Sequence, residues 1–215
     1  STLFPYTTLF RSPAGENMLP EHILHSPEHA AIADKAALWC AYMEENLDFS
    51  LRHSRIHGRP HCARVLLLAL GIAHRTGYED VEDALAHAAI FHDTRRRDEG
   101  RDQGHGARAA YYYISFCREH GLPYSQRAAS IMTWHDQSDA EGLDAIVRQA
   151  GGHRAAKGWL EAYRIFKDAD ALDRVRLGEA GLNVRMLRTG AARGMVDLAR
   201  RSEEHTSELQ SPSWI

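Results

Sequence analysis

"VEDALAHAAIFHDTRRRD", residues 81–98, decides how this chain folds. Val81, Leu85, Ala88 and His92 recur at spacings of four, three and four. That is one face of a 3.6-residue helix, so His92 points where the core points. Asp93 stands beside it, and Arg95, Arg96 and Arg97 follow. An imidazole and a carboxylate at the end of an apolar run are costly unless they are paired or bind a metal.

The same pattern recurs along the chain. His61, Val65, Leu68 and Ile72 share a face in a helix expected over about 60–76, ending at Gly77. His105, Ala109, Tyr112 and Phe116 do so over about 104–120, and Ala128, Ile131 and His135 in a helix from near Ser125 to about His135. Trp159, Tyr163, Phe166 and Asp170 do so over about 157–176. The helix of the opening stretch is expected over about 79–94. A first helix is expected over about 27–48, with Ser26 as N-cap and Pro27 at the first helical position. A short helix and a "GG" break fall within 136–156, and a last helix over about 189–200. No window alternates convincingly and no hairpin signal occurs. The expectation is an all-α, single-domain helical bundle.

Composition narrows the function classes. The chain has 215 residues, 44% hydrophobic and 26% charged, with a net charge of −3. No global basic field argues for a nucleic-acid polymer, and no apolar run reaches the ~20 residues of a membrane helix. Cys40, Cys62 and Cys117 show no metal or disulfide spacing, which suits reduced thiols in a cytoplasm. Oligomeric state is not readable.

The two ends differ from the interior. "STLFPYTTLFRS" (1–12) and "RSEEHTSELQSPSWI" (201–215) resemble translated sequencing-library adapters, in the expected order. The native domain is then expected within 13–200, starting at Met18 and truncated at its C-terminus. An independent genomic clone is expected to continue past Arg200 with other codons; the same tail in that clone would refute the adapter origin.

Each polar group alone has an ordinary explanation. A single core histidine usually satisfies one hydrogen bond. Asp170 alone suits a buried ion pair. His57 falls in an expected turn, "IHGRP", and reads as a loop residue. Five helices carrying one such group each point instead to a shared cation, and imidazoles with carboxylates suit several divalent metals.

As a set, "IHGRPHCARVLLLAL", "AAIFHDTRR" and "IFKDADALDRVR" resemble the H…HD…D signature of the HD-domain metal-dependent phosphohydrolases, an all-helical superfamily. The resemblance covers about 53–176. It implies His61, His92, Asp93 and Asp170 as ligands to one divalent cation: manganese, iron, cobalt, nickel, zinc or magnesium. Asp168 lies ~200° round the helix from Asp170 and faces elsewhere. "GHGARAA" and "IMTWHD" are similar to family segments that add histidines, so His105 and His135 would serve a second metal or substrate phosphate.

The implied reaction is hydrolysis of a phosphoester or phosphoanhydride in a nucleotide or small phosphometabolite. Asp93 would orient a water or take its proton, and Arg96 would hold phosphate. Arg95 and Arg97 fit a solvated charged turn equally well. Lys167 and Arg174 would add phosphate contacts, or else pair with Asp173 or Glu161. The main enzymatic alternative is an HD-fold di-iron oxygenase, which the six-ligand pattern also resembles. A non-catalytic nucleotide-binding module is the other. The acidic pair of stringent-response hydrolases is replaced here by "RRRD", and no GYP motif occurs.

Overall fold

A computed structural model of the chain describes residues 19, 26–27, 29–54, 56–178 and 180–209, with only the backbone path described for 204–209. Among them the chain is all-helical, with no strand. Nine α-helices follow in order: α1 (Ala33–Asn46), α2 (Arg59–Thr76), α3 (Glu82–Phe91), α4 (His105–His120), α5 (Gln126–Trp134), α6 (Asp139–Gln149), α7 (His153–Leu172), α8 (Gly190–Arg193) and α9 (Val196–Leu209). Short 3-10 turns at Glu79–Val81, Asp173–Leu177 and Val184–Met186 complete the path.

Two helices form the centre. Every residue of α2 from His61 to Ala73 is buried, and so is every residue of α3 except Asp83. The expected single apolar face of α2 therefore understates it: α3, α7 and α1 pack around it. Leu66, Leu67, Leu68 and Leu70 are almost wholly enclosed, and truncating one of them to alanine would cost roughly 2–5 kcal/mol. Gly77 stops α2 in the left-handed region at φ 71°, where its N–H reaches the last carbonyls. The chain then reverses, and α3 runs back alongside α2.

The helix ends differ from expectation in three places. Turns closed by His29 N–H to Ser26 O and by Ile32 N–H to His29 O precede α1, which begins at Ala33, and Ser26 does not cap it. Helix α3 ends at Phe91, because the Thr94 amide and hydroxyl both donate to the Phe91 carbonyl and tighten the chain into a turn. Helix α7 starts at His153, after Gly151 and Gly152 at positive φ, and tightens to 3-10 after Leu172. Ser125 caps α5 as expected, accepting from Ala128 N. Helix α9 runs through the expected junction at 200–201, while residues 1–12 lie outside the described residues.

An aromatic layer closes the core between α3 and α4. Phe91 packs against Tyr113 and Phe116 at 5.0 and 5.2 Å. Tyr113 Oη accepts from Ser125 N at 2.8 Å, so its own proton goes to His87 Nδ1 at 2.7 Å. His87 is thus held neutral, and burial pushes its pKa down from 6.5 to about 4. The unfolded chain binds this proton more readily, so stability is full above pH 6.5 and falls as pH drops toward 4. The loss is roughly 3 kcal/mol. His87→Gln keeps an acceptor for Tyr113 without the titration. Urea midpoints at about pH 7 and about pH 4.5 should differ less in this variant than in the parent; an unchanged difference would refute the assignment.

Candidate metal centre

Antiparallel pairing decides which helix ends meet. The N-terminal ends of α2 and α4 lie against the C-terminal ends of α3, α5 and α7. His61 opens α2, His92 caps α3, His105 opens α4, His135 caps α5, and Asp170 closes α7. His61 Nε2 lies 3.1 Å from His92 Nε2, 3.5 Å from Asp93 Oδ2 and 3.4 Å from Asp170 Oδ1. His105 Nε2 lies 2.9 Å from His135 Nε2 and 3.0 Å from Asp93 Oδ1. Asp93 therefore touches both imidazole pairs. Three overlapping groups, His57–His61–Asp93, His61–His92–Asp170 and His92–Asp93–His135, are each close enough to hold a metal ion.

The other ring nitrogens explain why these atoms converge. His92 Nδ1 faces Ala89 O at 2.9 Å, His105 Nδ1 faces Asp102 O at 2.7 Å and His135 Nδ1 faces Met132 O at 2.7 Å. A carbonyl only accepts, so each Nδ1 carries a proton and donates. His61 Nδ1 faces the Asp173 carboxylate at 2.6 Å and does the same. In the neutral ring each Nε2 is then a lone-pair donor, and all four are aimed at Asp93, Asp170 and one another. Bare lone pairs at such distances repel. A bound cation removes the conflict, and anchoring of the second nitrogen by protein oxygen is how metal-ligating histidines are held. The donor set fits a divalent metal on this ground.

Electrostatics divide the four imidazoles into two pairs. Burial, joined by the His61 and His135 charges, pushes the His92 pKa down to about 3 against the pull of Asp93 and Asp170. Burial and the His105 charge lower that of His135 as well. Burial would raise the Asp93 and Asp170 carboxyls, but the surrounding imidazoles outweigh it and hold both low. Burial lowers and carboxylates raise His61 and His105; the carboxylates win at both. Phe166 walls the cluster from behind, 5.3 Å from the His92 ring and 5.8 Å from His135. Asp170 and His57 are only partly buried and form the more open side of the cluster.

Several placements correct the sequence reading. His57 is not a free loop residue: Ser54 Oγ accepts from its backbone N, and its Nδ1 lies 2.9 Å from Asp93 Oδ2. The H-x-x-x-H spacing to His61 was the available signal. Asp173 pairs with neither Lys167 nor Arg174. It takes His61, both Arg64 Nε at 2.5 Å and Nη2 at 3.1 Å, and Arg176 at 3.1 Å. Glu161 pairs with Arg164. Lys167 clamps the α5–α6 turn through the carbonyls of His135 and Gln137 and the Asp139 carboxylate. Arg174 is exposed and donates to Gly181 O. Neither is placed on the cluster by these contacts. Asp168 faces away, as expected, holding the Arg188 and Thr189 amides. Arg96 is buried, with Nη1 3.6 Å from Asp93 Oδ1 and 3.4 Å from His105 Nε2. Its other nitrogens donate to Asp98 O and Gly100 O.

Gly106 permits the close approach of α4 and α5. A Cβ there would collide with the Met132 carbonyl and the His135 ring. Asp136 adds a tie, accepting from Gly104 N at 2.5 Å. The helix N-terminus and the imidazole cap are thus locked face to face.

Compared with protein-family models, curated proteins and solved structures, the chain gives no match. The reading of the site rests on its own chemistry.

Two carboxylates of the site should separate by role. Asp173→Ala strands the buried Arg64 guanidinium and the His61 imidazole N–H and takes one contact from Arg176, a loss of roughly 3–5 kcal/mol. Asp170→Ala removes a partly exposed group that a metal-free fold needs less. Urea unfolding in EDTA should rank Asp173→Ala well below Asp170→Ala; the reverse order would refute this division.

Proposed function

We propose that this protein is a metal-dependent phosphohydrolase, acting on a phosphoester or phosphoanhydride of a nucleotide or small phosphometabolite. One observation carries the reading. The Arg96 guanidinium, always charged, is buried against the same Asp93 and His105 that face the candidate metal position. A fixed cation beside a cation site favours an anionic substrate spanning both, and a guanidinium suits phosphate oxygens. The H…HD…D resemblance to the HD-domain superfamily agrees with this chemistry.

His61, His92, Asp93 and Asp170 would hold the first cation, with His105 and His135 available to a second and His57 on the open side. A divalent cation there would supply Lewis acidity and lower the pKa of a water. Asp93 has both oxygens facing the cluster and would orient a water there and take its proton. Arg96 holds the phosphoryl oxygens and balances their charge. Phe166 keeps bulk water from the rear of the site. Lys167, already engaged by two carbonyls, supports the His135 end and leaves phosphate binding to Arg96.

The setting agrees with a small phosphorylated substrate. Among the described residues no helix is long and apolar enough to cross a membrane. Cys40, Cys62 and Cys117 are free and buried, and on their account we place the protein in the cytoplasm.

The test is metal analysis of the purified chain, then phosphate release from nucleotides and generic phosphoesters with manganese, cobalt or nickel. Asp93→Ala should abolish turnover with helical content intact. Arg96→Ala should lower kcat/KM by roughly a hundredfold while metal content is kept. Bound iron with oxygen consumption and no phosphate release would overturn the proposal in favour of an oxygenase. Nucleotide binding by the loaded protein without turnover would leave a binding module.

A further inference from the structure

The three arginines after Asp93 divide between two sides of their loop. Arg96 turns inward to Asp93, while Arg95 and Arg97 line an open surface groove of about 660 Å³. Arg108, Tyr111 and Tyr112 of α4 form its other wall, and Ser50 and Ser115 add hydroxyls. We propose that this groove is a second binding site, outside the His/Asp cluster, for a nucleoside phosphate.

Three observations support it. The first is charge. No carboxylate is among the described residues that line the groove. The nearby Asp102 carboxylate is already committed to Arg108 Nη2 at 2.5 Å and the Arg97 amide at 2.7 Å. Three guanidiniums thus face one spent anion, on a chain whose net charge is −3. The second is preorganisation. Arg95 lies flat on Tyr112, 3.4 Å from the ring centroid, with Nη1 on the Asp48 and Thr94 carbonyls. Arg108 Nε is braced on Arg95 O at 3.1 Å. Arg97 is exposed, and its guanidinium has no hydrogen bond or ion pair among the described residues. Braced guanidiniums lose little freedom when they take phosphate oxygens. The third is Tyr111, 75% exposed beside these charges. A bare phosphate has no use for that ring, whereas a base stacks on it. The volume is within the range of small-ligand sites, ~300–1,000 Å³.

The full chain is titrated in EDTA, so that the His/Asp cluster carries no metal. The probes are mant-ADP by fluorescence anisotropy, with unlabelled ADP, inorganic pyrophosphate and a short single-stranded oligonucleotide as competitors. ADP and pyrophosphate should both compete. Arg97→Glu should weaken both by at least about tenfold. Tyr111→Ala should weaken ADP by roughly tenfold and leave pyrophosphate unchanged. Asp170→Ala should change neither. Both substituted groove residues are exposed, and unchanged circular dichroism confirms that the variants fold. The proposal is overturned by absence of binding, by binding indifferent to Arg97→Glu, or by binding that changes in either direction in Asp170→Ala, which would put the anion in the cluster. Tyr111→Ala without effect on ADP would refute the nucleoside assignment. An oligonucleotide that binds far more tightly than ADP would make the groove a polymer surface instead.

Discussion

A histidine ring has two nitrogens, and the structure depends on where one of them goes. In His92, His105 and His135 the Nδ1 proton is held by a backbone carbonyl three residues earlier; in His61 it is held by Asp173. That commitment turns every Nε2 inward, as a lone pair whenever the ring is neutral. Four such atoms, with Asp93 and Asp170, share one small volume. Their repulsion is relieved by protons or by a metal cation, and the surrounding helices are too closely packed to let the rings turn away. Phe166 at their back and Gly106 between α4 and α5 leave no room for that.

The parts that build this cluster also hold the bundle together. Asp173 fixes His61 while joining Arg64 of α2 to Arg176 beyond α7. Lys167 ties α7 to the turn after His135. Arg96 supports its own loop through two carbonyls and still presents one end to Asp93. Buried charges arranged this way contribute little net stability against an apolar replacement, but removing one partner is costly. Such an arrangement makes sense where the polar centre has a chemical use.

The loop after Asp93 is the hinge between chemistry and surface. Successive side chains alternate in direction, so adjacent arginines serve different purposes. Arg96 enters the interior, Arg95 lies on Tyr112, and Arg97 remains in solvent. A run of three like charges in the sequence is divided in the fold between the interior, which takes Arg96, and the surface, which keeps Arg95 and Arg97.

The helical periodicity carried much of this into view. Apolar residues at spacings of three and four set the core faces, and a polar residue on each face marked His61, His92, His105, His135 and Asp170 as exceptions requiring a partner. Local chemistry also marked the ends at Gly77, Ser125 and Gly151–Gly152. The tertiary structure decided what spacing cannot express. It brought His57 to Asp93 from a loop with no periodicity to read. It gave Asp173 to His61 and two arginines, and it took Lys167 and Arg174 for backbone carbonyls. Those outcomes depend on distances between residues remote in sequence, where an ionised side chain takes whichever partner packing places within reach. Periodicity determines which way a residue faces along its own helix; only the packing of helix against helix determines what it meets.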